Sequence, residues 1–109
     1  MAEEKKKPTS GRKNDQKMKP YLVYCYLMRK TDANHFESAE DIKAYLEECG
    51  IHAERRSIYR DVHEINKVLL ALQEDITLEE AEELLLEDEE NKIIRLHKRR
   101  GFYVAQRNY

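Results

Sequence analysis

Between Ser38 and Leu72, apolar positions recur at helical spacing on both sides of one turn. Ile42, Tyr45 and Leu46 share a face, and Ile58, Val62, Ile65, Leu69 and Leu72 follow in steps of four and three, which predicts two amphipathic helices sharing a core. Ser38 followed by Asp41 is a capping-box start, because hydroxyl and carboxylate satisfy N–H groups that a helix leaves open. Gly50 ends the first helix, since it takes a left-handed dihedral at no steric cost.

The flanking patterns are less decisive. Tyr21 to Met28 is an unbroken apolar run that suits a buried strand or a buried helix equally. Pro20 as a first-turn residue and Arg29 and Lys30 at the negative end of the dipole favour a helix. Leu22, Val23, Tyr26 and Leu27 would then pack on the helix pair. Thr31 to Glu37 reads as a connector, with Phe36 anchoring the start of the next helix and His35 lacking a second ligand at metal spacing. Near the C-terminus Ile94 and Leu96 point inward and Arg95 and His97 outward, before a Lys98-Arg99-Arg100-Gly101 tip and Phe102-Tyr103-Val104. This predicts a β-hairpin.

Residues 1–19 hold seven cations against three acids and few apolar side chains, so they are expected to form a disordered basic tail ahead of one domain over 20–109. That tail is either an arm laid along DNA or a solubilising segment. A chain of 109 residues has room for a modest core and not for a deep catalytic cleft. Its net charge of −2 argues against a nucleic-acid partner until its distribution is considered. Glu74 to Lys92 holds ten acids and one lysine, a balance of −9 that leaves +7 on the remainder.

The acidic insert, about 74–91, has its own helical signals. Thr77 and Glu80 form a second capping box, and Leu78, Ala81, Leu84 and Leu85 make a narrow apolar strip. Its repeated glutamates, with Glu87 to Glu90 at the wrong pole of the dipole, weaken the helix in isolation, so it must dock. If the domain binds DNA, so acidic a strip is expected to point away from it. The helix reads first as a solvated surface element, with a dimer contact or a competitor for the basic face as the alternatives.

Candidate chemistry is narrow. No nucleophile elbow, phosphate loop, zinc spacing or acid–base pair occurs, so neither an enzyme nor a bound metal or cofactor is expected. Cys25 and Cys49 lack short C-x-x-C spacing and read as small packing residues in a reducing cytoplasm. No run of about eighteen apolar residues exists, which argues against a membrane partner. What remains is the polar side of the second helix, with Arg56, Tyr59, Arg60, His63 and Lys67. Guanidinium forks reach phosphate oxygens or guanine edges, and a tyrosine hydroxyl bonds phosphate. The helix therefore suits a major groove.

The run RRSIYRDV resembles the recognition-helix signature of the DeoR-type winged helix-turn-helix that begins WYL-domain transcriptional regulators of bacteria. The resemblance covers about residues 19–107, including the Gly-Phe-Tyr wing. It implies a mainly α (α+β) fold: a three-helix core, a C-terminal β-hairpin wing and, here, an additional acidic helix longer than the family's usual link. It also implies sequence-specific binding of double-stranded DNA, dimerisation, and a ligand-sensing WYL domain in a longer parent that is absent from this chain. Arg55, Arg56, Ser57, Tyr59, Arg60, His63 and Lys67 would enter or border the major groove, and Lys98, Arg99 and Arg100 would grip the flank. Ala53 stands where relatives often place a capping Ser or Thr, leaving packing, water or a bound phosphate to hold the helix start. Asp61, repelled by phosphate, is expected to pair with a neighbouring arginine. The rival reading is a protein-interaction module using the acidic helix. Single-stranded or RNA binding is weaker, because most tyrosines fall on expected core faces.

Overall fold

Four helices precede one β-hairpin in the computed structural model, which describes the backbone of residues 12–105 and the side chains from residue 16. The elements are α1 (Arg12–Lys30), α2 (Ala39–Glu48), α3 (Arg55–Glu74), α4 (Leu78–Glu87), a 3-10 turn (Glu89–Asn91), β1 (Ile94–His97) and β2 (Gly101–Val104). The arrangement is a mostly helical α+β fold.

The apolar run of α1 resolves as helix because Val23, Tyr26 and Leu27, spaced three and one apart, bury together against α2 and α3. Leu22 packs partly exposed beside them. The helix begins at Arg12, well before the expected boundary at residue 20. Residues 12–19 are therefore helical, while residues 1–11 of the expected tail lie outside the described residues. Pro20 is an interior residue and not a first-turn one. It has no N–H to offer the preceding turn, a local weakness that the buried face downstream offsets.

In α2 both halves of the capping box form: Asp41 N–H donates to Ser38 Oγ at 3.1 Å and Ser38 N–H to Asp41 Oδ2 at 2.9 Å. At the other end Gly50 has φ +85°, Gly50 N–H donates to the Glu47 carbonyl and Ile51 N–H to that of Leu46. That paired return is a Schellman motif, and it sets the turn leading to α3. Cys49, expected to be a packing residue, is exposed at this cap, whereas Cys25 is half-buried.

Ile58, Val62 and Ile65 of α3 join Val23, Leu27, Ile42 and Leu46 in the main core, which Ile94, Phe102 and Val104 of the hairpin complete. The stripe stops short of its expected end. Leu69 is only partly buried and Leu72 is 76% exposed, because no described residue covers that side of the last turn of α3. Leu70 and Ala71 instead form a separate small cluster with Ala81 and Leu85 of α4. The acidic helix thus docks within the chain. Its Thr77–Glu80 capping box forms as expected, although Leu78 stays exposed.

The hairpin is antiparallel, with Ile94 opposite Val104, Leu96 opposite Phe102 and His97 opposite Gly101. Its tip is therefore Lys98-Arg99-Arg100, one residue shorter than expected, because Gly101 already belongs to β2. Leu96, expected inward, is half-exposed beyond the edge of the core. Three polar ties fix the hairpin to the helices. Asn66, buried in α3, bonds β1; Thr31 Oγ1 accepts from Val104 N–H at 3.0 Å; and Glu37 exchanges two backbone bonds with Phe102.

Candidate nucleic-acid interface

The α3 helix starts without a side-chain cap. Its N-cap is Glu54, whose carboxylate makes no capping bond, while Ala53 is buried one residue earlier. Ala53 is thus a packing residue and not the vacant cap position that the sequence pattern implied. Glu54 contributes its carbonyl, which accepts from the N–H groups of Ser57 and Ile58. The exposed first turn keeps the positive end of the helix dipole facing outward.

Arg56 and Arg60 lie on that exposed side, and neither has an ion-pair partner among the described residues. Tyr59 lies between them, partly exposed, with its ring 5.4 Å from that of Phe102 in β2. The contact sets the hairpin beside the first turns of α3. Arg55 is also exposed but engaged, its guanidinium Nη2 donating to Glu40 Oε2 at 2.7 Å. Ser57 is committed inward: its hydroxyl donates to the Glu54 carbonyl at 2.8 Å and accepts from Lys19. Its hydroxyl proton is thus already engaged, unlike that of the groove-lining serine the resemblance implies.

Two further expected contacts are already occupied. His63 Nε2 lies 2.8 Å from Glu82 Oε1, and Lys67 Nζ lies 3.4 Å from the same oxygen and 3.3 Å from Glu64. The imidazole of His63 holds the Glu82 carboxyl below the usual carboxylate range, and the Glu64 carboxylate raises Lys67. The acidic helix does not point away from the basic side of α3.

Asp61 has a structural role, but its partner differs from the expected arginine. It pairs with Lys19 of α1, and the two side chains are almost wholly shielded from solvent. A lysine in a strongly basic segment offered no signal for this burial. Asn66 did leave a mark, as a polar residue four after Val62 on an otherwise apolar face.

At the hairpin tip Lys98, Arg99 and Arg100 are all exposed. His97 Nδ1 accepts from the N–H groups of Arg99 and Arg100, closing the turn. Arg100 lies 5.4 Å above the Phe36 ring, and Phe36 also meets His97 and Tyr103. Phe36 therefore steadies the hairpin as well as the approach to α2. Gly101 sits against Glu37 and Ser38, two residues before the Glu40 that holds Arg55. The tip and the first turn of α3 thus converge on the start of α2.

His52 bridges Glu47 and Glu54 at 3.1 Å each, and these carboxylates, Glu47 foremost, raise its pKa above the usual imidazole value. His35 bonds Asp32 at 2.8 Å, and no group of three metal-ligating side chains occurs among the described residues. Among them, too, no helix is long and apolar enough to cross a membrane. No family model, curated protein or solved structure matches the chain.

Proposed function

We propose that the chain binds specific double-stranded DNA as a transcriptional regulator, with α3 in the major groove and the hairpin serving as the wing of a winged helix-turn-helix. The observation that carries this reading is the pair Arg56 and Arg60, two solvent-facing guanidiniums without carboxylate partners among the described residues, on a helix anchored by Ile58 and Val62. Unpaired arginines at the dipole-positive end of a rigid helix suit phosphate oxygens and guanine edges. Tyr59 adds a hydroxyl between them. Lys98, Arg99 and Arg100 would contact phosphates or a narrow minor groove alongside. Arg55 serves at the border, exchanging Glu40 for phosphate.

The test is fluorescence anisotropy with mixed-sequence duplexes followed by selection of a preferred site. Retention that falls with salt, and a preferred sequence lost in Arg56→Ala and Arg60→Ala, are expected. A second reading, a protein-interaction module, is favoured by Leu78 and Leu86, both exposed on the acidic helix. It predicts capture of a protein partner that is abolished by Leu86→Ser and indifferent to Arg56→Ala.

A further inference from the structure

His63 and Lys67 each follow an arginine by seven residues, Arg56 and Arg60 respectively, so the four lie along one side of α3. The acidic helix is docked on the C-terminal half of that side, where Ala81 and Leu85 bury against Leu70 and Ala71. Glu82 then sets one carboxylate oxygen between the imidazole and the ammonium, at 2.8 Å and 3.4 Å. A phosphate oxygen would take the same place between two such donors.

We infer that α4 is a built-in cover on the DNA-binding face, with Glu82 standing in for a backbone phosphate at His63 and Lys67 until a duplex displaces it. The inference rests on the duplex-binding reading and adds its regulation. Two features make displacement feasible. The cluster holding α4 is separate from the main core, so the helix can leave without opening the residues that position α3. Leu72 and Leu78, on either side of the connecting turn, are exposed, so the half-buried Ile76 is the apolar side chain that ties that turn to the small cluster. Glu64 lies on α3 itself, 3.3 Å from the Lys67 ammonium, and so stays with Lys67 when α4 leaves. The negative charge of α4 also lies on the flank a longer duplex would approach, which makes the covered state selective against non-specific DNA.

The experiment compares the full chain with Glu82→Gln, Glu82→Gln/Lys67→Ala and Glu79→Gln on one mixed-sequence duplex over a range of salt. Glu79→Gln removes the same charge from an exposed position that engages no cation among the described residues. Glu82→Gln is expected to tighten binding several-fold at low salt and to steepen the log–log salt slope by about 1, one phosphate for the Lys67 ammonium. Glu79→Gln should do much less, and Lys67→Ala should cancel the gain. Amide exchange over α4 should quicken when duplex is added to the unaltered chain. Equal effects of Glu82→Gln and Glu79→Gln, or a gain that survives Lys67→Ala, overturn the cover. If Arg56→Ala weakens binding while Glu82→Gln changes nothing, only the cover fails. If no form binds duplex, Glu82→Gln included, the DNA reading falls with it.

Discussion

The carboxamide of Asn66 satisfies both backbone groups of Ile94: Nδ2 donates to the Ile94 carbonyl at 2.8 Å, and Oδ1 accepts from the Ile94 N–H at 2.8 Å. The same oxygen accepts from Ile93 N–H at 3.1 Å. One side chain in the middle of α3 thus sets where the hairpin begins. Asn66→Ala would leave these buried groups unpaired, at about 1–3 kcal/mol for each one that water cannot reach. We predict a loss of roughly 3 kcal/mol or more in denaturant unfolding, with Asn66→Asp also damaging because it removes the donor. Unchanged stability in Asn66→Ala would show that the tie contributes nothing.

Gly101 fastens the other end of the hairpin. Its φ is +113°, and a Cβ there would come within 2.5 Å of the Glu37 carbonyl oxygen and 2.9 Å of Ser38 Cα. These are backbone atoms that cannot rotate aside. Gly101→Ala should therefore displace β2 from the connector, breaking the Glu37–Phe102 bonds at a cost of about 2 kcal/mol or more. The check is amide exchange at Phe102, which should quicken by the matching factor.

Lys19 and Asp61 join α1 to α3 at a place where little water reaches either charge. Removing one partner leaves the other desolvated, a loss of about 3–5 kcal/mol for well-buried pairs. Lys19→Ala should sharply lower the melting temperature, and Lys19→Ala/Asp61→Ala should recover part of the loss. An unaffected single variant would mean that the basic segment before Pro20 is dispensable for folding.

The turn ahead of α3 responds to pH through His52. Its two carboxylate neighbours, Glu47 foremost, raise its folded-state pKa above the ordinary imidazole value of about 6.5. The stabilisation is therefore complete below that unfolded value and disappears as pH rises through the folded one. Proton NMR should place His52 above 6.5 and show Glu47→Gln lowering it, the larger of the two carboxylate effects. A titration at or below 6.5 would contradict the bridge.

Where one physical rule governs a segment, its structure was legible in the sequence. The Ser38 and Thr77 boxes, the Gly50 stop, the Ile58–Val62–Ile65 stripe and the hairpin all follow from local chemistry. The misses required knowledge of partners distant along the chain. Lys19 looked solvated because Asp61 lies 42 positions away, and Leu72 looked buried because its spacing was right while none of the described residues covers it. The candidate site divides the same way. Exposure of Arg56, Tyr59, Arg60 and the hairpin tip could be read from their side of the pattern, whereas the engagement of Arg55, Ser57, His63 and Lys67 depended on tertiary contacts.

In the proposed complex, Arg56 and Arg60 on α3 grip duplex DNA together with the Lys98–Arg100 tip. The most direct measurement of that grip is the salt dependence of duplex affinity for the unaltered chain, Arg56→Ala, Arg60→Ala and Arg99→Ala. With about 5 phosphates neutralised, the log–log slope should be near −4 to −5 per domain. Arg56→Ala and Arg60→Ala should each cost about 1–3 kcal/mol and relax site preference, while Arg99→Ala weakens all sequences alike and flattens the slope by about 1. A flat salt response, or arginine variants that bind like the unaltered chain, would rule out the proposed grip on DNA.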